Sequence, residues 1–205
     1  MAPTQILILG HFFIRRLHVF LRQNFRNLHI DGDLSIKWHG IGGRTISKLI
    51  RHDLGIVETF APEIVVNQLG TNHLSSLSTV ETGSALEELS RLLHESYDVP
   101  RVCVCQTTFR GNAPLINRQV KLLTKYLKVV LEPIAFAFHW RHRGFWNWKS
   151  RFLHAMVSTL KELCHEIQPN KKITKRIASL ARCDPIYVLS INPLCFSLVI
   201  QFDQI

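Results

Sequence analysis

The chain has no serine or threonine between Thr4 and Ser35, and no aspartate between Asp98 and Asp184. The first gap leaves the turn after the first apolar run without a hydroxyl nucleophile. It also lacks any Cys-x-x-Cys pair, and its five cysteines (Cys103, Cys105, Cys164, Cys183, Cys195) are odd in number, so no disulfide framework is expected. Cys103 and Cys105 lie two apart, on one face of a strand, where buried free thiols are expected rather than metal ligands. No His/Cys/Asp cluster has ligand spacing, so neither a metal nor an organic cofactor is implied. No apolar stretch reaches the roughly 20 residues that a membrane helix needs. The first five residues, Met-Ala-Pro-Thr-Gln, carry no basic region before their short apolar run, unlike a signal peptide. An intracellular, cytoplasmic location without membrane contact is the expectation.

Acidic residues are scarce where basic ones gather. The net charge is +10, and residues 141–182 hold ten lysines and arginines against Glu162 and Glu166 only. Such a segment can bind phosphate backbones, or it can be a solvated basic tail. Within it Arg141-His142-Arg143-Gly144-Phe145-Trp146 interleaves cations with aromatics, which suits base stacking and equally suits packing of indoles under arginine stems.

What is present organises itself around Ile6-Leu7-Ile8-Leu9-Gly10. A continuous apolar run ending in glycine predicts a strand buried on both faces, at residues 5–9. A helix follows over 13–24. Further strands are expected at 34–38, 64–69, 102–105 and 134–138. Helices lie between them, marked by Ile46, Leu49 and Ile50, by Leu86, Leu89, Leu92 and Leu93, and by Val120, Leu123, Tyr126 and Leu127. Strands alternating with helices predict right-handed βαβ units, and hence an α/β class protein: a three-layer α/β/α sandwich on a parallel sheet.

In such sheets chemistry sits beyond the carboxyl ends of the strands. Three of those ends read Gly10-His11-Phe12, Gly42-Gly43-Arg44-Thr45 and Gly70-Thr71-Asn72. A glycine N–H and an asparagine carboxamide are donor types that stabilise a developing oxyanion. Taken singly these turns are commonplace; their order and spacing are more specific.

In this order the sequence resembles the SGNH (GDSL-like) hydrolases, in particular a subgroup found near mobile-element sequences. The resemblance covers about residues 5–154. It rests on Leu-Gly-His-Phe-Phe-Ile-Arg-Arg-Leu (9–17), Gly-Ile-Gly-Gly-Arg-Thr (40–45) and Gln-Leu-Gly-Thr-Asn (68–72). Leu-Leu-His-Glu-Ser-Tyr (92–97), Val-Cys-Gln-Thr (104–107) and His-Arg-Gly-Phe-Trp (142–146) support it. It implies a flavodoxin-like sandwich with strand order 2-1-3-4-5 and hydrolysis of a small ester or acyl ligand. It also implies an attacking serine, an Asp-x-x-His block supplying the base, and an oxyanion hole to which Gly43 and Asn72 correspond. Phe12 stands at the serine's place, and phenylalanine cannot attack a carbonyl. Nucleophile loss in a triad hydrolase lowers kcat by about 10⁶-fold, so a pseudoenzyme is expected.

The Asp-x-x-His block should follow Phe152-Leu153, where there is no aspartate; His154 is the nearest candidate base. Ala155-Met156-Val157-Ser158-Thr159-Leu160 can be back-translated so that reading from the last base of the alanine codon gives Asp-Gly-Val-His-Leu. The expectation is therefore a hydrolase-like domain over 1–154 followed by a divergent, frameshifted tail over 155–205. The alternatives are a non-catalytic binding module, for an acylated ligand, a carbohydrate or nucleic acid, and a degraded mobile-element fragment.

Overall fold

A computed structural model describes residues 3–24, 34–110 and 113–141. Strand β1 (Thr4–His11) carries the Ile-Leu-Ile-Leu run, and Ile6 to Leu9 are fully buried. Its two neighbours pair with it in parallel. β2 (Leu34–Ile41) lies on one side and β3 (Ile64–Gln68) on the other. β4 (Arg101–Cys105) and β5 (Ala137–Trp140) extend the sheet, giving the order β2-β1-β3-β4-β5. That is the parallel α/β arrangement the alternation of strands and helices predicts.

Register sets the position of the site. Gly10 lies opposite both Gly40 and Gln68, so β1, β2 and β3 end level with one another at one edge of the sheet. Helix α1 (Phe12–Asn24) starts without a loop after β1 and buries Ile14, Leu17 and Leu21, a one-sided apolar stripe. It packs directly on β2: a Cβ added at Gly40 would collide with the backbone nitrogen of Arg15. Glycine is therefore needed there for close approach rather than for backbone freedom.

Helices α2 (Ile46–His52) and α3 (Gly55–Phe60) connect β2 to β3. α4 (Thr79–Tyr97) opens on a capping box, in which the Ser78 hydroxyl accepts from the Glu81 N–H at 3.2 Å and the Glu81 carboxylate accepts from the Ser78 N–H at 2.8 Å. α5 (Pro114–Leu131) begins at a proline, which loses nothing in a first turn. The main core joins Leu7, Leu9, Val65, Val102 and Val104 to Leu86, Leu89 and Leu93 of α4 and Val120, Leu123 and Leu127 of α5.

Three sequence expectations are corrected. The fifth strand begins at Ala137, not at residue 134. A turn instead occupies 134–136, closed by the N–H of Ile134 on Leu131 and the N–H of Ala137 on Ile134. Ile134 is buried within that turn, so its apolar character reports burial and not strand. The helix after β2 is two helices, because the chain turns at Asp53-Leu54 before restarting as α3. Ile50 lies off the buried stripe of α2 and is exposed, whereas Leu92 is partly buried against the core. Cys103 and Cys105 are buried and form no disulfide. His154, the basic segment beyond Arg141 and the tail over 155–205 lie outside the described residues.

Candidate active site

The level strand ends bring Phe12, the Gly42-Gly43 turn and Asn72 to one edge of the sheet. Phe12 opens α1 and is 48% exposed, with the Arg16 guanidinium 4.5 Å from its ring centroid. The position thus presents a half-open aromatic ring and no nucleophilic atom. His11, immediately before it, is only 9% exposed. Its Nδ1 accepts from the Phe13 N–H at 3.3 Å, while its Nε2 is buried without a partner. Burial, aided by the charge of Arg110, lowers its pKa from 6.5 to about 4, so the ring is neutral at physiological pH.

The second strand end is a tight turn from Ile41 to Arg44, closed by the Arg44 N–H on the Ile41 carbonyl at 3.3 Å. Its third residue, Gly43, has φ +66°, a left-handed value that disfavours any side chain, and the space its Cβ would enter is empty. Among the described residues the N–H of Gly43 meets no protein acceptor. Arg44 anchors the turn from below: its Nη2 donates to Asp53 Oδ1 at 2.8 Å, and its Nε lies 2.6 Å from Oδ2, in ionic contact but out of line for a hydrogen bond. His39 approaches the same carboxylate at 3.8 Å.

Asn72 joins the second and third strand ends. Its Nδ2 donates to the Arg44 carbonyl at 3.0 Å, which leaves one amide proton for a ligand. Its Oδ1 accepts from Arg110 Nη2 at 3.1 Å. Asn72 is thus hydrogen-bonded to the residue that follows Gly43. His73 turns away from the cleft: it is buried and its Nδ1 receives the Ile46 N–H, a long contact of 3.5 Å at the start of α2. Burial lowers its pKa, which keeps that acceptor unprotonated.

Residue patterning gives no hint of Arg110. It follows β4 in Thr107-Thr108-Phe109-Arg110, and the glycine of this loop, Gly111, comes only after it. Two contacts with Asn117 fix its backbone, the Arg110 N–H on Oδ1 at 2.8 Å and Nδ2 on the Arg110 carbonyl at 2.7 Å. Thr71 and Thr108 share a hydroxyl contact of 3.3 Å, and Thr107 donates to the Leu69 carbonyl at 3.2 Å, so the loops after β3 and β4 form one floor. A fourth strand end thus joins the three that glycines announce. Among the described residues no group of three or more metal-ligating side chains occurs.

No protein-family model and no curated protein matches the chain. Solved structures do share its fold. A GDSL-like lipase from Bacteroides thetaiotaomicron is 11% identical, with TM-score 0.61 over 80% of this chain and 88% of its own. An acetyl-xylooligosaccharide esterase from Geobacillus is 11% identical, with TM-score 0.58 over 80% and 94%. An α/β hydrolase from the metagenome of Lake Arreo is 13% identical, with TM-score 0.56 over 80% and 97%. At such identities the likeness establishes a shared fold. The chain has the parallel α/β fold of GDSL-like hydrolases.

Proposed function

We propose that the chain is an SGNH-type hydrolase-like domain that does not hydrolyse esters. The carrying observation is Phe12. It occupies the first residue after β1, the place of the family's serine, and no other hydroxyl lies on β1 beyond Thr4 or on α1. Acyl transfer needs a nucleophile, a base to take its proton, and donors for the oxyanion. Only donors are supplied here, by the Gly43 N–H and the second Nδ2 proton of Asn72.

His11 does not replace the missing base. Its Nδ1 is engaged by the Phe13 N–H and its Nε2 is buried, so neither nitrogen is placed to collect a proton from an attacking group. Phe12→Ser is therefore expected to restore a hydroxyl without restoring turnover. Purified protein and p-nitrophenyl acetate test the reading. Wild-type turnover that Asn72→Ala abolishes would refute it.

The frameshifted origin of residues 155–205 is part of the same proposal. It accounts for the missing Asp-x-x-His block in a chain whose Gly43 and Asn72 turns match the family's pattern. The gene tests it: a GCT, GCC or GCA codon at Ala155 would rule the shift out.

A further inference from the structure

The cleft contains a cation that an ester has no use for. Arg110 is half-buried, and its recorded side-chain contacts both run through Nη2, to Asn72 Oδ1 at 3.1 Å and to the Thr71 carbonyl at 3.4 Å. Both acceptors are neutral. Among the described residues no carboxylate lies within ion-pair distance of this guanidinium, although Arg44 nearby has Asp53. A cation drawn part-way from water with neutral partners favours an anion beside it.

Two further observations point to a ligand at this place. Beside Asn72 the turn at Gly43 offers an N–H without a protein acceptor, next to empty space. The buried Nε2 of His11, close enough to Arg110 to feel its charge, has no partner. Donors and an unpaired cation thus lie on either side of one asparagine, with no acid among them.

We infer that this cleft binds a monocarboxylate with an apolar body, its carboxylate paired with the Arg110 guanidinium and reaching the Gly43 N–H and the second Nδ2 proton of Asn72. The inference rests on the reading of the site as a cleft without a nucleophile and specifies what that cleft holds. One guanidinium beside a neutral histidine balances a single negative charge; a phosphate dianion would leave one unbalanced. Guanidinium and carboxylate are both planar and match as a fork. The apolar body follows from the surroundings. The exposed Phe12 ring follows His11 in the chain, and Leu74 and Ile116, close in sequence to Asn72 and Asn117, line an open groove with Leu115 and Leu122. Its α5 residues flank Asn117, which fixes Arg110, and its one charged lining residue, Arg118, is again a cation.

Proton NMR of the whole chain with hexanoate, methyl hexanoate and inorganic phosphate tests this, since the spectra report binding and any ester cleavage separately. Hexanoate is expected to bind at least about tenfold more tightly than its methyl ester, the scale of one charge-assisted contact. Arg110→Gln should remove that preference and Arg110→Lys should keep part of it, with thermal melting as the check on folding. Equal affinity for acid and ester, an unchanged preference in Arg110→Gln, or tighter binding of phosphate would each overturn the inference. Should Arg110→Gln not fold, the three-ligand comparison on the wild-type chain decides. Cleavage of methyl hexanoate would instead refute the loss of catalysis, and the preference for hexanoate over phosphate, with its loss in Arg110→Gln, would still decide the inference.

Discussion

Two arginines flank Asn72, and they are treated differently. Arg44 gives its backbone carbonyl to the Asn72 amide, and its side chain is neutralised by the buried Asp53 carboxylate. Arg110 gives its side chain to the Asn72 carbonyl oxygen and meets no carboxylate among the described residues. Asp53 is sequestered, so the Arg44 pair acts on structure: it holds the Gly42-Gly43 turn against α2. Arg110 stands where a solute can reach it. The same residue type serves as scaffold where its charge is matched and as a binding group where it is not.

Breaking the matched pair should have the largest effect. Asp53→Ala leaves a mostly buried guanidinium without its counter-charge, and losses of this kind are about 3–5 kcal/mol; urea unfolding measures it. Next comes acid. His11 titrates near 6.5 when unfolded and near 4 when folded. Between those values the unfolded chain binds the proton, so stability is fully present above the unfolded value and falls as pH drops. By pH 4 the loss from His11 is roughly 3 kcal/mol. His139, lowered to about 4 by burial and by Arg141, adds to the same window. His11→Gln should therefore flatten the profile only in part.

Asn72→Ala removes the contacts to both arginines and should destabilise by about 1 kcal/mol, the usual scale for partly buried hydrogen bonds. Arg110→Gln is expected to change stability least, by under about 1 kcal/mol, since it deletes a charge whose partners are neutral. The same variant should raise the His11 pKa part-way toward 6.5, because burial, the larger cause, remains; NMR titration of the ring reads this directly. A large stability loss in Arg110→Gln, or none in Asp53→Ala, would erase the distinction between the two arginines.

Much of this was legible in the residues. The Ile6–Leu9 run marks the central strand because only a strand covered on both faces is apolar at consecutive positions. Glycines mark three strand ends: Gly43 and Gly70 take positive φ, and a Cβ at Gly10 would collide with the Ile14 side chain. The fourth end is less legible, because Gly111 lies six residues beyond the end of β4 and an arginine in a loop looks like any solvated cation. The Arg44–Asp53 pair is hidden by distance along the chain; eight residues, including helix α2, lie between them. The fifth strand was placed early because Ile134 is buried, and burial alone does not distinguish a turn from a strand. Phe12 was legible as an absence of nucleophile, whereas its half-open setting under Arg16 needed coordinates.

The central claim is a hydrolase-type cleft with donors and nothing to attack with. Steady-state p-nitrophenyl acetate hydrolysis by the wild-type chain and Asn72→Ala tests it most directly. The account predicts rates that match each other and the protein-free buffer. Wild-type turnover well above buffer that disappears in Asn72→Ala would contradict it.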